Sequence, residues 1–166
     1  MGKLFSGFGI KGIGVEQGFL RVVEEGCPVR GERPVVLPAT LDGGLLSVSG
    51  QTAVGESGEL LMRGRLGAEL SVEQGRACAW QCAVNVVAAA QQALGSLESV
   101  VSVRMVNIWV ACTPDFYEQH LVADAATELF IATFGAEVGR HARAAIGVSA
   151  LPTGSPVEVA AMFRTR

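Results

Sequence analysis

Gly139-Arg140-His141-Ala142-Arg143-Ala144-Ala145-Ile146-Gly147-Val148, followed through Leu151-Pro152 by Val157-Glu158-Val159, is the stretch that decides how this chain is read. Two short apolar runs flank a turn at Thr153-Gly154, which predicts two strands joined by a tight connection. Among their apolar side chains stand an arginine, Arg143, and a carboxylate, Glu158. A charge taken into a sheet needs a partner or a ligand, because it is costly to leave unpaired away from water. Arg143 is therefore the first candidate for function.

Side chains alternate along a strand. Arg143, Ala145, Gly147 and Ser149 share one face, and Ala142, Ala144, Ile146 and Val148 share the other. The small residues leave room beside a planar guanidinium suited to bidentate carboxylate binding. The alternative is that Arg143 pairs with a carboxylate across an oligomer interface. On the last strand Glu158, Ala160 and Met162 share a face opposite Val157, Val159, Ala161 and Phe163. In a simple hairpin Glu158 lies opposite the Ser149 end, too far from Arg143 for a direct pair. The two either do separate jobs or meet across subunits. Glu158 suits general acid or base work, and equally a structural salt bridge.

Working back from this segment, Ser71 to Leu94 is the clearest helix. Ser71 caps it, Gln74 holds the reciprocal capping-box position and Gly95 ends it. Ala77, Trp80, Val84, Val87 and Leu94 recur at helical spacing as a core stripe. Val100 to Ala111 is a long strand, apolar enough for burial on both faces. Thr113-Pro114-Asp115 opens a second helix running to about Phe134 and stopping at Gly135. Its acidic residues between Asp115 and Glu128 read as a solvated face. Leu45 to Ser49 is a strand entered from the turn Asp42-Gly43-Gly44, and Ser49-Gly50-Gln51 ends it with a hydroxyl able to bind a ligand. His141 has no strong base signal.

The N-terminal Gly7-Phe8-Gly9-Ile10-Lys11-Gly12-Ile13-Gly14 formally contains G-x-G-x-x-G, but too few residues precede it for the strand that a dinucleotide site needs. Residues 1–14 read as an arm, 15–25 as a short helix ending at Gly26, and 27–38 as an extended connection rich in proline. Residues 15–166 read as one domain.

Composition narrows the function. The chain has 166 residues, 49% hydrophobic and 17% charged, with a net charge of -3 and no basic run. That fits a packed globular protein and disfavours phosphate-driven binding to nucleic acid. No apolar stretch reaches the length needed to span a bilayer, so a soluble, cytoplasmic protein is expected. Cys27, Cys78, Cys82 and Cys112 match neither a zinc ribbon nor a disulfide framework. Cys78 and Cys82 share a helix face and read as core, with no metal site expected. Two helices cover only one face of the sheet. The strands are apolar on both, which points to a homo-oligomer whose sheets face one another.

Ser49-Gly50-Gln51, Leu94-Gly95-Ser96-Leu97, Phe134-Gly135, Gly139-Arg140-His141-Ala142-Arg143 and Leu151-Pro152 before Val157-Glu158-Val159 occur in an order and spacing that resembles the YjgF/Rid family of reactive-intermediate deaminases. The resemblance covers roughly Val15 to Phe163, and the Gly-Arg-His-Ala-Arg motif resembles a longer-chain branch. It implies a chorismate-mutase-like α/β fold, a mixed sheet with two main helices on one face, and a homotrimer with ligand sites between subunits. It implies hydrolysis of small carboxylate-bearing imines or enamines to 2-keto acids and ammonia, without a cofactor or metal. By the same resemblance Arg143 binds the substrate carboxylate and Glu158 helps position water; Ser49, at its strand end, remains a candidate ligand contact on its own chemistry. Departures fall at Val36 for a tyrosine, Thr127 for an asparagine and Ala145 for a cysteine. These changes also suit two alternatives on the same scaffold: a ligand-binding or interaction protein without catalysis, and a biosynthetic enzyme with a larger substrate.

Overall fold

The computed structural model describes residues 36–166. The expectations for the N-terminal arm, for the helix at 15–25 and for most of the extended connection lie outside the described residues.

The elements run β1 (Ala39–Asp42), β2 (Leu45–Thr52), α1 (Val72–Leu94), β3 (Val100–Ala111), α2 (Gln119–Gly139), β4 (Ala142–Val148) and β5 (Val157–Thr165). The strands form one five-stranded sheet in the order β1-β2-β5-β3-β4. All neighbours are antiparallel except β3 and β4, which are parallel. Both helices pack on the same face of this sheet, α1 over β2 and β5, and α2 over β3 and β4, and they also pack on each other. The fold is thus a mixed sheet with two helices on one side, as expected.

Local chemistry accounts for α1. The Ser71 hydroxyl accepts from the Gln74 N–H at 3.3 Å, and the Gln74 side chain accepts from the Ser71 N–H at 2.9 Å. Both N-terminal donors are therefore satisfied reciprocally. At the other end Gly95 turns left-handed with φ 75 and donates to the Gln91 carbonyl. Ala77, Val84 and Val87 of the expected stripe are buried, and Trp80 and Leu94 pack partly buried against the core. Cys78, Cys82 and Cys112 are buried and free, and burial pushes the Cys78 thiol up to about 12. The helices are tied by Arg76, which donates to both Glu128 oxygens at 2.9 and 3.0 Å and to the Leu121 carbonyl at 2.7 Å.

Three expectations change. First, β4 and β5 do not form a hairpin. β4 lies parallel to β3, with Val106 opposite Arg143 and Ile108 opposite Ala145, while β5 lies on the other side of β3, with Trp109 opposite Glu158. The crossover through α2 returns the chain parallel to β3. β5 then gains hydrogen bonds on both edges by filling the gap between β2 and β3. The connection between them arches over the end of β3, where the Ala111 N–H donates to the Pro156 carbonyl at 2.9 Å and the Cys112 N–H to the Val148 carbonyl at 3.0 Å.

Second, Thr113-Pro114-Asp115 is a turn, closed by the Phe116 N–H on the Thr113 carbonyl at 3.2 Å, and α2 begins later at Gln119. Third, the helical backbone breaks at Gly135 as expected, but the chain does not pass from there straight into β4. That residue leaves the helical region with φ 78 and ψ 163, and a last turn continues to Gly139. Gly139 then lies against the body of the helix so closely that a Cβ there would come 2.5 Å from the Phe130 carbonyl oxygen. This approach delivers the chain into β4.

Candidate functional site

Arg143 projects from β4, the sheet's edge strand, onto the helix-covered face. Its Nη1 donates to Asp124 Oδ1 at 2.7 Å and to the Thr127 hydroxyl at 3.2 Å, both on α2. Asp124 and Thr127 are three residues apart, which puts them side by side on one helix face. Thr127 Oγ1 lies 3.2 Å from His141 Nε2, and His141 Nδ1 lies 2.7 Å from the Gly139 carbonyl oxygen. A carbonyl can only accept, so Nδ1 carries the proton and Nε2 accepts from the Thr127 hydroxyl. His141 is edge-on to the Phe130 ring, 5.5 Å between centroids. Burial holds its pKa below the ordinary 6.5, the Gly139 bond opposes that, and the Arg143 charge adds to it. The neutral ring thus agrees with the direction of the bonds. Ala145 follows Arg143 on the same face and packs against the core, half-buried.

Glu158 sits elsewhere. On β5 the residues Val157, Val159, Ala161 and Phe163 are buried under the helices, so Glu158 alternates onto the open face. It lies between Thr52 of β2 and Trp109 of β3. A bulge in β2 sets its position: the register slips between Val48 and Gln51, so Ser49 and Gly50 oppose one residue of β5. A Cβ on Gly50 would overlap the Glu158 carboxylate. This close approach requires glycine and half-buries the carboxylate, and burial raises its pKa above the ordinary 4.5. Beside the bulge, the Ser49 hydroxyl donates to the Leu37 carbonyl at 2.6 Å, and the Ser49 N–H donates to the Pro38 carbonyl at 2.9 Å. These bonds bring the residues next to Val36 along the outer edge of β2, where Val36 itself is 65% exposed.

The expected site residues therefore form two groups within one chain. Arg143, Thr127 and Ala145 lie at the β4 edge on the helix face. Glu158, Ser49 and Val36 lie toward the β2 side, with Glu158 on the open face. Sequence reading placed Arg143 and Glu158 apart because of a hairpin; they are apart because β3 separates their strands and they face opposite ways. It also missed Asp124, taken as part of a solvated helix face. The legible signal was its spacing from Thr127 on the helix that crosses over to the Arg143 strand.

A helix-backed, five-stranded mixed sheet with a paired arginine at its edge defines the class. The chain belongs to the YjgF/chorismate-mutase-like family, described as "YjgF/chorismate_mutase-like, putative endoribonuclease", which matches residues 33–163. Protein TCP17 of Trypanosoma cruzi is 48% identical over 117 residues, which is 70% of this chain and 72% of that one. Among solved structures, Atu1372 of Agrobacterium tumefaciens, of unknown function, is 38% identical with a TM-score of 0.78, over 92% of this chain and 94% of that one. A Shewanella oneidensis MR-1 protein bearing the same endoribonuclease description is 26% identical with a TM-score of 0.78, over 89% and 97% of the two chains. Among the described residues no helix is long and apolar enough to cross a membrane.

Proposed function

We propose that this chain is a Rid-type deaminase of the longer-chain branch, hydrolysing small 2-imino or 2-enamino acids to 2-keto acids and ammonia in clefts between the subunits of a homotrimer. The observation that carries this reading is the state of Arg143. Both hydrogens of Nη1 are committed, to Asp124 and Thr127, while Nε and Nη2 make no hydrogen bond among the described residues. Those two atoms form the side-on fork that matches a carboxylate bidentately.

The chemistry follows from that anchor. An enamine such as 2-aminoacrylate is protonated at carbon to give an iminium. Water adds to the iminium carbon, and the resulting carbinolamine loses ammonia to leave the keto acid. Glu158 orients the water and takes its proton, a role helped by the basicity that burial gives its carboxylate. Because Arg143 and Glu158 face opposite ways within one chain, they join in one site only when contributed by different subunits. The open sheet face supports such an assembly: Trp109, Met105 and Met162 are half-buried there, and Leu45 and Ile146 are 36% and 42% exposed.

The test is a coupled assay generating 2-aminoacrylate in situ. Wild type should accelerate keto-acid release and Arg143→Ala should not. Undiminished activity in that variant would overturn the anchor. A second reading, binding without catalysis, is favoured by Thr127, whose hydroxyl proton is turned inward to His141. It predicts a wild type that binds 2-keto acids yet leaves the rate unchanged.

A further inference from the structure

We infer that Asp124 determines substrate charge, admitting acids with a single carboxylate at Arg143 and turning away dicarboxylates. The inference rests on the reading of Arg143 as the carboxylate anchor and adds the class of acid it accepts.

Three observations carry it. Asp124 and Arg143 are in direct contact at 2.7 Å, yet neither side chain is sealed off: 43% of the first and 25% of the second is exposed. A ligand reaching the guanidinium also meets the aspartate. The second observation is the direction of the bonding. Thr127 accepts from Arg143 and donates to His141, whose other nitrogen donates to Gly139. Among the described residues no second cation is hydrogen-bonded into this cluster, and His141 is neutral, an acceptor at Nε2. The third is geometric. With Nη1 filled, a carboxylate seats on the Nε and Nη2 edge, one guanidinium width from Asp124.

The arginine and aspartate cancel, so the empty cluster is neutral. One bound carboxylate brings it to a single negative charge, held by the two hydrogen bonds of the fork. A second carboxylate on the same ligand finds no further cation within this cluster. In a four- or five-carbon acid it lies within the ~10 Å over which charges still interact at ~0.1 M salt. There it is repelled by Asp124.

The experiment measures binding of 2-oxobutyrate and 2-oxoglutarate to the full chain by calorimetry, for wild type, Asp124→Asn and Arg143→Ala. Asparagine keeps an Oδ1 acceptor for Nη1 and removes only the charge. Wild type should prefer the monocarboxylate, and Asp124→Asn should shrink that preference by on the order of tenfold. A wild type without preference, or an unchanged preference in Asp124→Asn while Arg143→Ala abolishes binding, overturns the inference and spares the anchor. Binding that survives in Arg143→Ala overturns the anchor itself. If Asp124→Asn does not fold, the wild-type preference is compared at ~0.05 M and ~0.5 M salt. Screening should reduce it, and a preference indifferent to salt counts against Asp124.

Discussion

Replacing Gly50 with alanine should disable Glu158 while leaving the fold nearly as stable. The new Cβ would overlap Glu158 Oε1 and lie 2.8 Å from Cδ and 3.2 Å from Cγ. All of these atoms belong to the end of one flexible side chain, so a χ rotation relieves the clash at a cost of about 0.5–1.5 kcal/mol if it ends off-rotamer. Gly50 is not among the left-handed glycines, so alanine suits its backbone and gains about 0.4–1 kcal/mol by restricting the unfolded chain. The carboxylate also leaves a site where burial raises its pKa. Such a group contributes its stability below the unfolded value of 4.5 and loses it as pH rises through the folded value, so at neutral pH wild type carries the penalty and the variant sheds it. The net change should stay within about 1 kcal/mol. Carboxyl carbon NMR titration should show the Glu158 pKa falling toward its ordinary value, and turnover should drop with carboxylate affinity kept, because Arg143 is on the other face. An unmoved Glu158 titration, or a stability loss above ~3 kcal/mol from backbone displacement, would refute the reasoning.

Two further predictions concern the Arg143 cluster. His141, held by burial below its ordinary 6.5, contributes stability above that value and loses it as pH falls toward the folded pKa. Urea unfolding should therefore show wild type weakening, relative to His141→Gln, which does not titrate, as pH falls below the ordinary 6.5; parallel profiles would exclude a buried neutral ring. Gly135→Ala should cost about 1–3 kcal/mol from backbone strain alone, since φ is 78 and no atom lies within 4 Å of the added Cβ. It should also weaken carboxylate binding, because the turn from Gly135 to Gly139 sets where β4 begins, and thermal unfolding with calorimetry measures both.

Much of the fold was legible because its signals are local. The Ser71–Gln74 box and Gly95 bound α1, and the apolar run from Val100 to Ala111 is β3 from end to end. The failures are of another kind. Nothing near Leu151-Pro152 tells a hairpin from a connection spanning β3, since the answer depends on α2 having already brought β4 to the far side of that strand. Thr113-Pro114-Asp115 has a good helix-start composition, yet the turn there is also tied to Leu66 through the Thr113 N–H at 3.0 Å. In the candidate site Arg143 and Glu158 stood out as charges among apolar neighbours. Asp124 did not, because an acidic residue on a helix looks alike whether it faces water or an arginine from the next strand.

The place of β5 bears on how the chain is made. It is the latest of these strands to leave the ribosome, yet it lies third of five in the sheet, between β2 and β3. Until Val157–Thr165 emerges, β1 and β2 form one ribbon and β3 and β4 another, with no backbone bond between the two. Each ribbon then offers an open strand edge to other nascent chains. The segment Val157–Thr165 is thus the strand that joins the two ribbons into one sheet.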